Sequence, residues 1–391
     1  PEIRFAGFTD DWEQRKWIDT VDISTEMVDP TTGEYDDMPH IAPGNIEPFT
    51  GRILDNVKTV KEEQLISGKF RFRPNDVVYG KINPQLGKYF YASIDGLTSA
   101  DAYVFNGKNG ITQKFLYSVL QTKDFFKYSI SVSKRSGMPK INRDELNAYS
   151  FCVPKEEEQE KIGDFLLGID NLITLHQRKC DETKKLKKFM LQKMFPKKDA
   201  NKPEIRFAGF TDDWEQRKLG DTVQITMGQS PDGSTYSETP SDYILVQGNA
   251  DLKDGWVSPR VWTSQMTKKA DAGDLIMSVR APAGAMGKTA YNAVIGRGVA
   301  AIKGNEFIYQ SLVKMDSNGY WKKLSSGSTF ESLNSNNIKD AEIFVPCDEE
   351  QQKIGQYFSN LDNLITLHQR KCDELKEFKK YMLQNMFPQK G

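Results

Sequence analysis

The thirteen residues DNLITLHQRKCDE at 170–182 recur letter for letter at 362–374. A second peptide, PEIRFAGFTDDWEQRK at 1–16, recurs unchanged at 203–218. The copies of the opening peptide are 202 residues apart and those of the later peptide 192 apart, so the two halves of the 391-residue chain are in register at both ends. Each half therefore consists of a repeated frame around a variable middle, and the middles differ in length by ten residues.

The later repeat lies within a pattern that predicts a long helix. Apolar residues recur at alternating spacings of three and four, which is the 3.5-residue period of a coiled-coil seam. Acidic residues after Pro154 and Pro346 suit a helix start, and the MFP tripeptides that contain Pro196 and Pro388 mark the ends. A helix of about 38 residues is roughly 57 Å long. Either direction of pairing between the two helices is possible, and we favour the antiparallel one, which relates the halves by a pseudo-twofold axis.

Composition limits the chemistry of the chain. Four cysteines show no CxxC spacing, and two of the three histidines, His176 and His368, fall in the helical seam. We interpret them as polar residues that set the register of the helices, rather than as a metal pair. No apolar run reaches the roughly 18–20 residues that a membrane span needs. We therefore expect a cytoplasmic protein with neither a metal site nor a membrane partner.

The variable middles predict two α/β domains of similar order. Strand-like runs are VVYGKI, YFYASI and AYVFNG in the first half, and YILVQGN, DLIMSVRAP and GVAAIKG in the second. One helical stretch follows in each half, QKFLYSVLQTKDFFKYSI or FIYQSLVKMDSNGYWKKL, and then a closing strand, SFCVP or EIFVP. The predicted division is a first domain at 1–153, a first helix at 154–196, a linker and second domain at 197–345, and a second helix at 346–391.

Charge is segregated in the first domain. Residues 17–57 carry nine acids and one base, whereas residues 58–143 carry fifteen bases and six acids. A net charge of −1 for the whole chain therefore hides a strongly basic region. Such a region is the footprint that binding to phosphates requires, although surface lysines are also commonly just solvated.

Polar loops add candidate contacts to DNA, because Arg and Lys suit guanine edges while Asn and Gln suit adenine. The same loops could equally be plain turns. The candidates in the first domain are Arg71, Arg73, Lys81, Asn83, Gln85, Lys88, Lys134, Arg135, Ser136, Lys140 and Arg143. Those in the second domain are Gln229, Ser230, Gln247, Asn249, Arg280, Lys288, Arg297, Lys322, Lys323, Ser326 and Ser328.

The sequence offers no convincing catalytic set. GAMGKT at 284–289 ends like a phosphate-binding loop, but Pro282 stands where that motif requires its first glycine. The Asn-Pro-Pro-aromatic tetrapeptide of amino-methyltransferases is missing, and no nuclease set of carboxylates and lysine follows. We predict a protein that reads DNA without cutting or modifying it, with no catalytic residues and no cofactor.

Frame and middle together resemble the specificity subunits of type I restriction–modification systems. The resemblance covers almost the whole chain. It rests on FAGFTDDWEQRK at the start of each half and on the junction GSTFESLNSNNIKDAEIFVPCDEEQQKI. MPKINRDEL and NDVVYGKINPQLGK in the first half, and GDLIMSVRAPAG in the second, match the same pattern.

The resemblance implies an α+β fold with a pseudo-twofold internal repeat. Two α/β target-recognition domains would be separated by two long conserved helices that form an antiparallel coiled coil. It also implies double-stranded DNA with a bipartite site as the ligand, each domain reading one half while the helices set the spacer. The implied partners are two modification subunits, which bind S-adenosylmethionine and methylate adenine, and restriction subunits, which move along DNA and cut it.

Two other readings of the residues stay open at this point. One is a free-standing, pseudo-dimeric DNA-binding regulator that needs no enzyme partners. The other is a coiled-coil adaptor whose α/β domains bind protein.

Overall fold

The computed structural model describes residues 1–134, 137–197, 200–325 and 332–388. The chain divides into two compact units. Unit 1 is Pro1–Arg178 with Gln369–Gly391, and unit 2 is Lys179–His368. Each unit thus combines one variable domain with a segment of each long helix.

The two long helices are present as the seam predicts. They span Glu156–Lys193 and Asp348–Asn385, 38 residues each, and both begin with three acidic residues. Carboxylates in a first turn are favoured there by the positive end of the helix dipole. Although long, neither helix is apolar enough to cross a membrane, and the same holds for every other described helix.

In unit 1 the two helix segments run antiparallel. The Cys372 thiol lies 3.4 Å from the Ile173 carbonyl oxygen, and the rings of Phe165 and Phe378 are 6.2 Å apart. Moving from Phe165 to Ile173 along the first helix therefore corresponds to moving back from Phe378 to Cys372 along the second, as in an antiparallel pair. The Lys379 ammonium also pairs with the Asp170 carboxylate, and both side chains are buried.

Unit 2 has the same antiparallel arrangement, made by the other copies of the same letters. The Cys180 thiol lies 3.8 Å from the Ile365 carbonyl oxygen, and Lys187 Nζ lies 2.6 Å from Asp362 Oδ1. The repeated peptide therefore supplies matching contacts to both units, and the antiparallel prediction is confirmed within each.

Unit 1 contains two main sheets. The four-stranded antiparallel sheet has the order Val21–Ile23, Ala102–Gly107, Val77–Gly80, Tyr89–Tyr91. The five-stranded sheet has the order Met27–Val28, Lys69–Phe72, Gly96–Thr98, Pro39–His40, Lys58–Thr59. Alternate residues of strand Val77–Gly80 face opposite sides of the four-stranded sheet. Val77 and Tyr79 belong to the hydrophobic core that contains the helices, while Val78 packs with Phe72 of the five-stranded sheet. The helices are Trp17–Thr20, Val60–Glu63, Gln113–Leu120, Lys123–Ser133 and Arg143–Asn147, with 3-10 turns at Pro30–Thr32, Pro43–Asn45 and Pro84–Leu86.

Unit 2 also contains two main sheets, of six and five strands. Its six-stranded sheet has the order Gln224–Met227, Val299–Lys303, Leu275–Ser278, Met286–Lys288, Trp256–Val257, Leu252–Lys253. Its five-stranded sheet has the order Tyr236–Ser237, Trp262–Thr263, Tyr243–Val246, Ala293–Ile295, Lys269–Ala270. The helices are Leu219–Thr222, Glu306–Ser317, Tyr320–Ser325 and Ser335–Lys339, with 3-10 turns at Gly233–Thr235 and Asn249–Asp251.

The repeated opening peptide closes each variable domain. Strand Glu13–Lys16 pairs antiparallel with Ser150–Val153, and Glu215–Lys218 pairs in the same way with Glu342–Val345. Trp12 packs edge-on against Phe115 and Phe387, while Trp214 packs against Phe195 and Phe307. The repeat is thus structural, and its tryptophans belong to the core.

One salt bridge in each unit links the opening peptide to the start of a long helix. Arg4 donates from Nε and Nη2 to the two carboxylate oxygens of Glu158, at 2.9 and 2.8 Å. Arg206 makes the same two-pronged contact with Glu350, at 2.6 and 2.7 Å. Both glutamates are fully buried, so each arginine balances a charge that water cannot reach.

The predicted helical stretch of each variable domain is two helices rather than one. In unit 1 the break falls at Gln121–Thr122, where the Thr122 hydroxyl caps the second helix by accepting from the Phe125 amide. In unit 2 the break falls at Gly319, whose positive φ of 71° suits glycine and ends the first helix.

Candidate nucleic-acid interface

In unit 1 the backbone brings together two loops that carry predicted contacts. The loop that follows strand Val77–Gly80 joins the segment before helix Arg143–Asn147 through a bridge between Ile82 and Lys140. The Asn83 amide donates to the Pro139 carbonyl at 2.8 Å, and the Ile141 amide donates to the Lys81 carbonyl at 3.0 Å. Lys81, Asn83, Gln85 and Lys140 therefore lie on one edge.

Three cations of this edge lie close together. Lys81 Nζ is 5.0 Å from the centroid of the Tyr103 ring, and the Arg143 guanidinium carbon is 5.9 Å from the same point. Burial lowers the pKa of Lys81, Asp101 opposes this, and the positive charges of Lys140 and Arg143 lower it further. The Arg143 guanidinium is held by the Ser24 carbonyl at 3.1 Å. Mutual repulsion among these cations would be relieved by an anion such as a phosphate.

Three other basic candidates of unit 1 already have partners inside the domain. Arg71 makes a two-pronged ion pair with Asp95, and Arg73 makes one with Glu26. The Lys88 ammonium donates to the Ile46 carbonyl, and burial lowers the pKa of Lys88. The positive charges of Arg71 and Arg73 are therefore matched by carboxylates, whereas Lys88, like Arg143, donates to a backbone carbonyl.

The remaining candidates of unit 1 lie after helix Lys123–Ser133. Lys134 is exposed at the end of that helix. Arg135 and Ser136 lie outside the described residues.

In unit 2 turns that follow strands of both sheets bring several candidates together on one edge. The Gln229 amide donates to the Ile295 carbonyl at 2.8 Å, and the Ser230 hydroxyl accepts from the Arg297 amide at 3.1 Å. A Cβ atom added at Gly298 would lie 1.9 Å from the Gln247 carbonyl oxygen, so only glycine permits this close approach. Gln229, Ser230, Gln247 and Arg297 are thereby gathered.

A buried carboxylate orders the next part of this edge. Asp251 Oδ2 accepts from the backbone amides of Gln247 and Gly248, at 2.6 and 3.1 Å, and Arg260 Nε donates to its Oδ1 at 2.5 Å. Asn249 begins the same 3-10 turn and is exposed. The sequence analysis missed Asp251, although an acid at the third position of a short turn is a recognisable capping signal.

Arg280 completes the edge of unit 2 and reveals its likeness to unit 1. Arg280 forms a bridge with Ser332, and the Leu333 amide donates to the Val279 carbonyl at 2.8 Å. These contacts repeat the joining of Lys81 and Ile82 to Lys140 and Ile141. The two edges thus share this backbone bridge, while unit 1 presents mainly cations and unit 2 mainly amides with two arginines.

The other candidates of unit 2 lie elsewhere. Lys288 is mostly buried, with Nζ 3.0 Å from Glu306 Oε2 and less than 5 Å from the ring centroids of Trp256 and Tyr309. Its ammonium is therefore already paired with a carboxylate inside the domain. Lys322 and Lys323 are exposed on helix Tyr320–Ser325, and Ser326 and Ser328 lie outside the described residues.

No group of three or more metal-ligating side chains comes together among the described residues. What the two edges offer is hydrogen-bond donors, acceptors and positive charge on paired loops. That combination is typical of proteins that bind nucleic acids. Positive charge contacts the phosphates, and hydrogen-bonding side chains contact the edges of the bases.

The chain belongs to the type I restriction modification DNA specificity domain family, whose model matches residues 9–185 and again 211–377. A relative from Methanocaldococcus jannaschii, a putative type I restriction enzyme MjaX specificity subunit, is 27% identical over 406 residues, covering 96% of this chain and 92% of that protein. The EcoDI specificity subunit of Escherichia coli is 31% identical over 151 residues, covering 39% of this chain and 33% of that one.

A solved structure shares the fold along the full length. The S subunit of a type I restriction–modification system from M. genitalium has a TM-score of 0.74 and 14% identity, with 100% of both chains covered. The prediction of a non-catalytic specificity subunit with two recognition domains is confirmed by the family. The free-standing regulator and the protein-binding adaptor are not needed to explain the chain.

Proposed function

We propose that the two edges each read one half of a bipartite site on double-stranded DNA. The observation that carries this is the backbone bridge that the edges share, with different side chains on each. A shared bridge would present both edges to DNA alike, while different donors and acceptors would select different bases. The contacts are Lys81, Asn83, Gln85, Lys140 and Arg143 in unit 1, and Gln229, Ser230, Gln247, Asn249, Arg280 and Arg297 in unit 2.

The long helices set the number of unread bases between the half-sites in this proposal. Inserting one heptad after Arg178 and one after His368 keeps the seam in register and lengthens each helix by about 10.5 Å. Since base pairs are about 3.4 Å apart, the spacer should grow by about three base pairs with both half-sites unchanged. The measurement is the methylome of a strain that expresses the variant together with the modification subunits.

A matched control for that experiment is a conservative change of the same helices without insertion, such as Asn171→Ser with Asn363→Ser, which should leave the methylome as it is. Altered half-sites in the heptad variant would contradict the role of the helices as a ruler. A chain that forms no complex with modification subunits would contradict the proposed function itself.

The helices also dock the modification subunits, we propose, through large apolar side chains left on their outer faces. Unit 1 exposes Leu172, Leu175, Phe378 and Tyr381, and unit 2 exposes their counterparts Leu364, Leu367, Leu186 and Phe189. Exposed apolar side chains that recur at helical spacing commonly mark a protein interface. Two equal sets favour two copies of one partner. The restriction subunits would then join this core complex, which we place in the cytoplasm.

Changing Leu172 and Leu175 together to serine should weaken the binding of one modification subunit about thirtyfold to a hundredfold. Each leucine loses roughly 1–1.5 kcal/mol of apolar burial in the interface. Native mass spectrometry should then show complexes with one modification subunit where the unchanged chain holds two. The control is Asn171→Ser on the same exposed turn, and loss of both subunits from the double leucine variant would argue against two separate docking surfaces.

A further inference from the structure

Unit 1 contains a cavity whose lining residues are not among the proposed DNA contacts. The cavity has a volume of about 610 Å³, within the range of small-molecule sites. Aromatic side chains form much of its wall, including Phe49, Tyr79, Tyr89 and Phe126. Phe49 is half exposed and packs edge-on against Phe126 at 5.4 Å. Such walls suit a flat ring.

Asp170 is a buried wall residue of this cavity and lacks a full set of partners. Its Oδ1 receives the Lys379 ammonium, and both side chains are 8% exposed. Its Oδ2 is buried and accepts no hydrogen bond within the described part of the chain. Burial raises the pKa of Asp170, and the Lys379 charge and hydrogen bonding from Lys379 and Gln121 oppose this, although Oδ2 itself has no partner at hydrogen-bonding distance among the described residues. A buried acceptor left without a donor costs about 1–3 kcal/mol.

Unit 2 shows how the counterpart carboxylate is hydrogen-bonded. There the counterpart Asp362 receives Lys187 on Oδ1 and a second hydrogen bond from Gln310 Nε2 on Oδ2, at 2.9 Å. The position of Gln310 is taken by Ser118 in unit 1, since both sit three residues after the phenylalanines Phe307 and Phe115 of the repeated core. The Ser118 hydroxyl donates to the Lys114 carbonyl instead, so Ser118 does not supply the second hydrogen bond that Gln310 gives to Asp362.

A second unsatisfied acceptor lines the same cavity. With the amide oriented so that Gln121 Nε2 donates to the Tyr117 carbonyl at 3.2 Å, the oxygen faces the other way. The oxygen, Oε1, is buried and accepts no hydrogen bond among the described residues. The counterpart of Gln121 in unit 2 is Val313, so an amide at this position is found in unit 1 and not in unit 2, where the buried amide oxygen without a partner is that of Gln310.

Lysines give the cavity a positive margin. Lys123, Lys376 and Lys380 line it together with Glu377, which lies 3.5 Å from the Lys380 ammonium, and Lys123 and Lys380 are exposed. The ring walls, the two buried acceptors and these lysines point to one ligand chemistry. We propose that the cavity binds a nucleotide whose base carries an exocyclic amino group.

The groups of such a ligand match the groups of the cavity. An amino group has two N–H donors, which satisfy Asp170 Oδ2 and Gln121 Oε1. The base packs against the aromatic side chains, and the phosphate lies towards the exposed lysines. The proposal is independent of how the chain reads DNA.

Calorimetric titration of the full-length chain with AMP and with IMP tests the proposal. AMP carries the amino group, whereas IMP has a carbonyl oxygen in the same place, which Asp170 would repel. We expect AMP to bind at least tenfold more tightly than IMP and more weakly as salt is raised. Equal affinities, or no heat with AMP up to millimolar concentration, would mean that the cavity holds only water and would overturn the proposal.

Two variants place the binding in the cavity. Gln121→Leu removes one acceptor, and Ser118→Gln installs the donor that unit 2 uses, so each should weaken AMP at least tenfold. Gln310→Leu in unit 2 is the matched control and should leave AMP affinity unchanged. Circular dichroism checks folding, and if Gln121→Leu does not fold, Ser118→Gln decides. Unchanged AMP affinity in the folded variants would overturn the assignment.

Discussion

Replacing Lys81, Lys140 and Arg143 together by alanine should weaken DNA binding about a hundredfold at physiological salt. These are the cations that crowd around Tyr103 in unit 1. Each cation that neutralises a phosphate releases about 0.9 counterion, which is worth roughly fivefold in affinity at about 0.15 M salt. Three contacts therefore account for about a hundredfold. Fluorescence anisotropy with a labelled duplex measures the effect.

The salt dependence of DNA binding distinguishes direct contacts between these cations and phosphates from a general loss of positive charge. The slope of log affinity against log salt should become shallower by about 2.7 in the triple variant. The control changes three exposed lysines outside the cluster, Lys58, Lys61 and Lys155, to alanine, which removes the same charge from unit 1. Equal slopes for the two triple variants would remove the Lys81 edge from the interface.

Arg206→Leu should lower the free energy of unfolding of unit 2 by about 3–5 kcal/mol. The Glu350 side chain is fully buried and receives both hydrogen bonds of the Arg206 fork. Removing the arginine leaves a carboxylate buried without its counter-charge, which is far costlier than the net worth of the pair. Hydrogen exchange of the 203–218 peptide and urea unfolding of the whole chain both report the loss.

The matched variants of that experiment exploit the repeat. Arg206→Leu with Glu350→Leu should recover most of the stability, because no uncompensated charge remains. Arg4→Leu should produce a similar loss in unit 1, where Arg4 binds Glu158 in the same way. A double variant less stable than the single one would mean that the pair stabilises the unit by more than charge balance.

The repeated segments of this fold can be predicted from the sequence because the residues that make their contacts are identical in the two halves. Cys180 and Cys372 meet Ile365 and Ile173, so one seam pattern fixes two sets of contacts. The two-residue strands, such as Met27–Val28 and Pro39–His40, are too short to show any alternation. They form because neighbouring strands distant in sequence pair with them.

The candidate interface was only partly predictable for the same reason. The loop sequences predict Lys81 and Lys140 as DNA contacts, but their proximity in the fold depends on a bridge between residues 58 positions apart. Arg71, Arg73 and Lys88 looked equally suitable in sequence. Their partners Asp95, Glu26 and Ile46 lie 24, 47 and 42 residues away, so the internal contacts that occupy them are invisible to local patterns.

The strand pairing that closes each variable domain has a consequence for how such chains diversify. Glu13 lies opposite Val153, and Glu215 lies opposite Val345, so the entrance and the exit of each domain are neighbours. A segment whose two ends are already side by side can change in length or content without pulling on what surrounds it. The ten-residue difference between the two middles is tolerated on this account. We therefore expect one variable domain to be replaceable by another without a change in the repeated segments that hold its two ends.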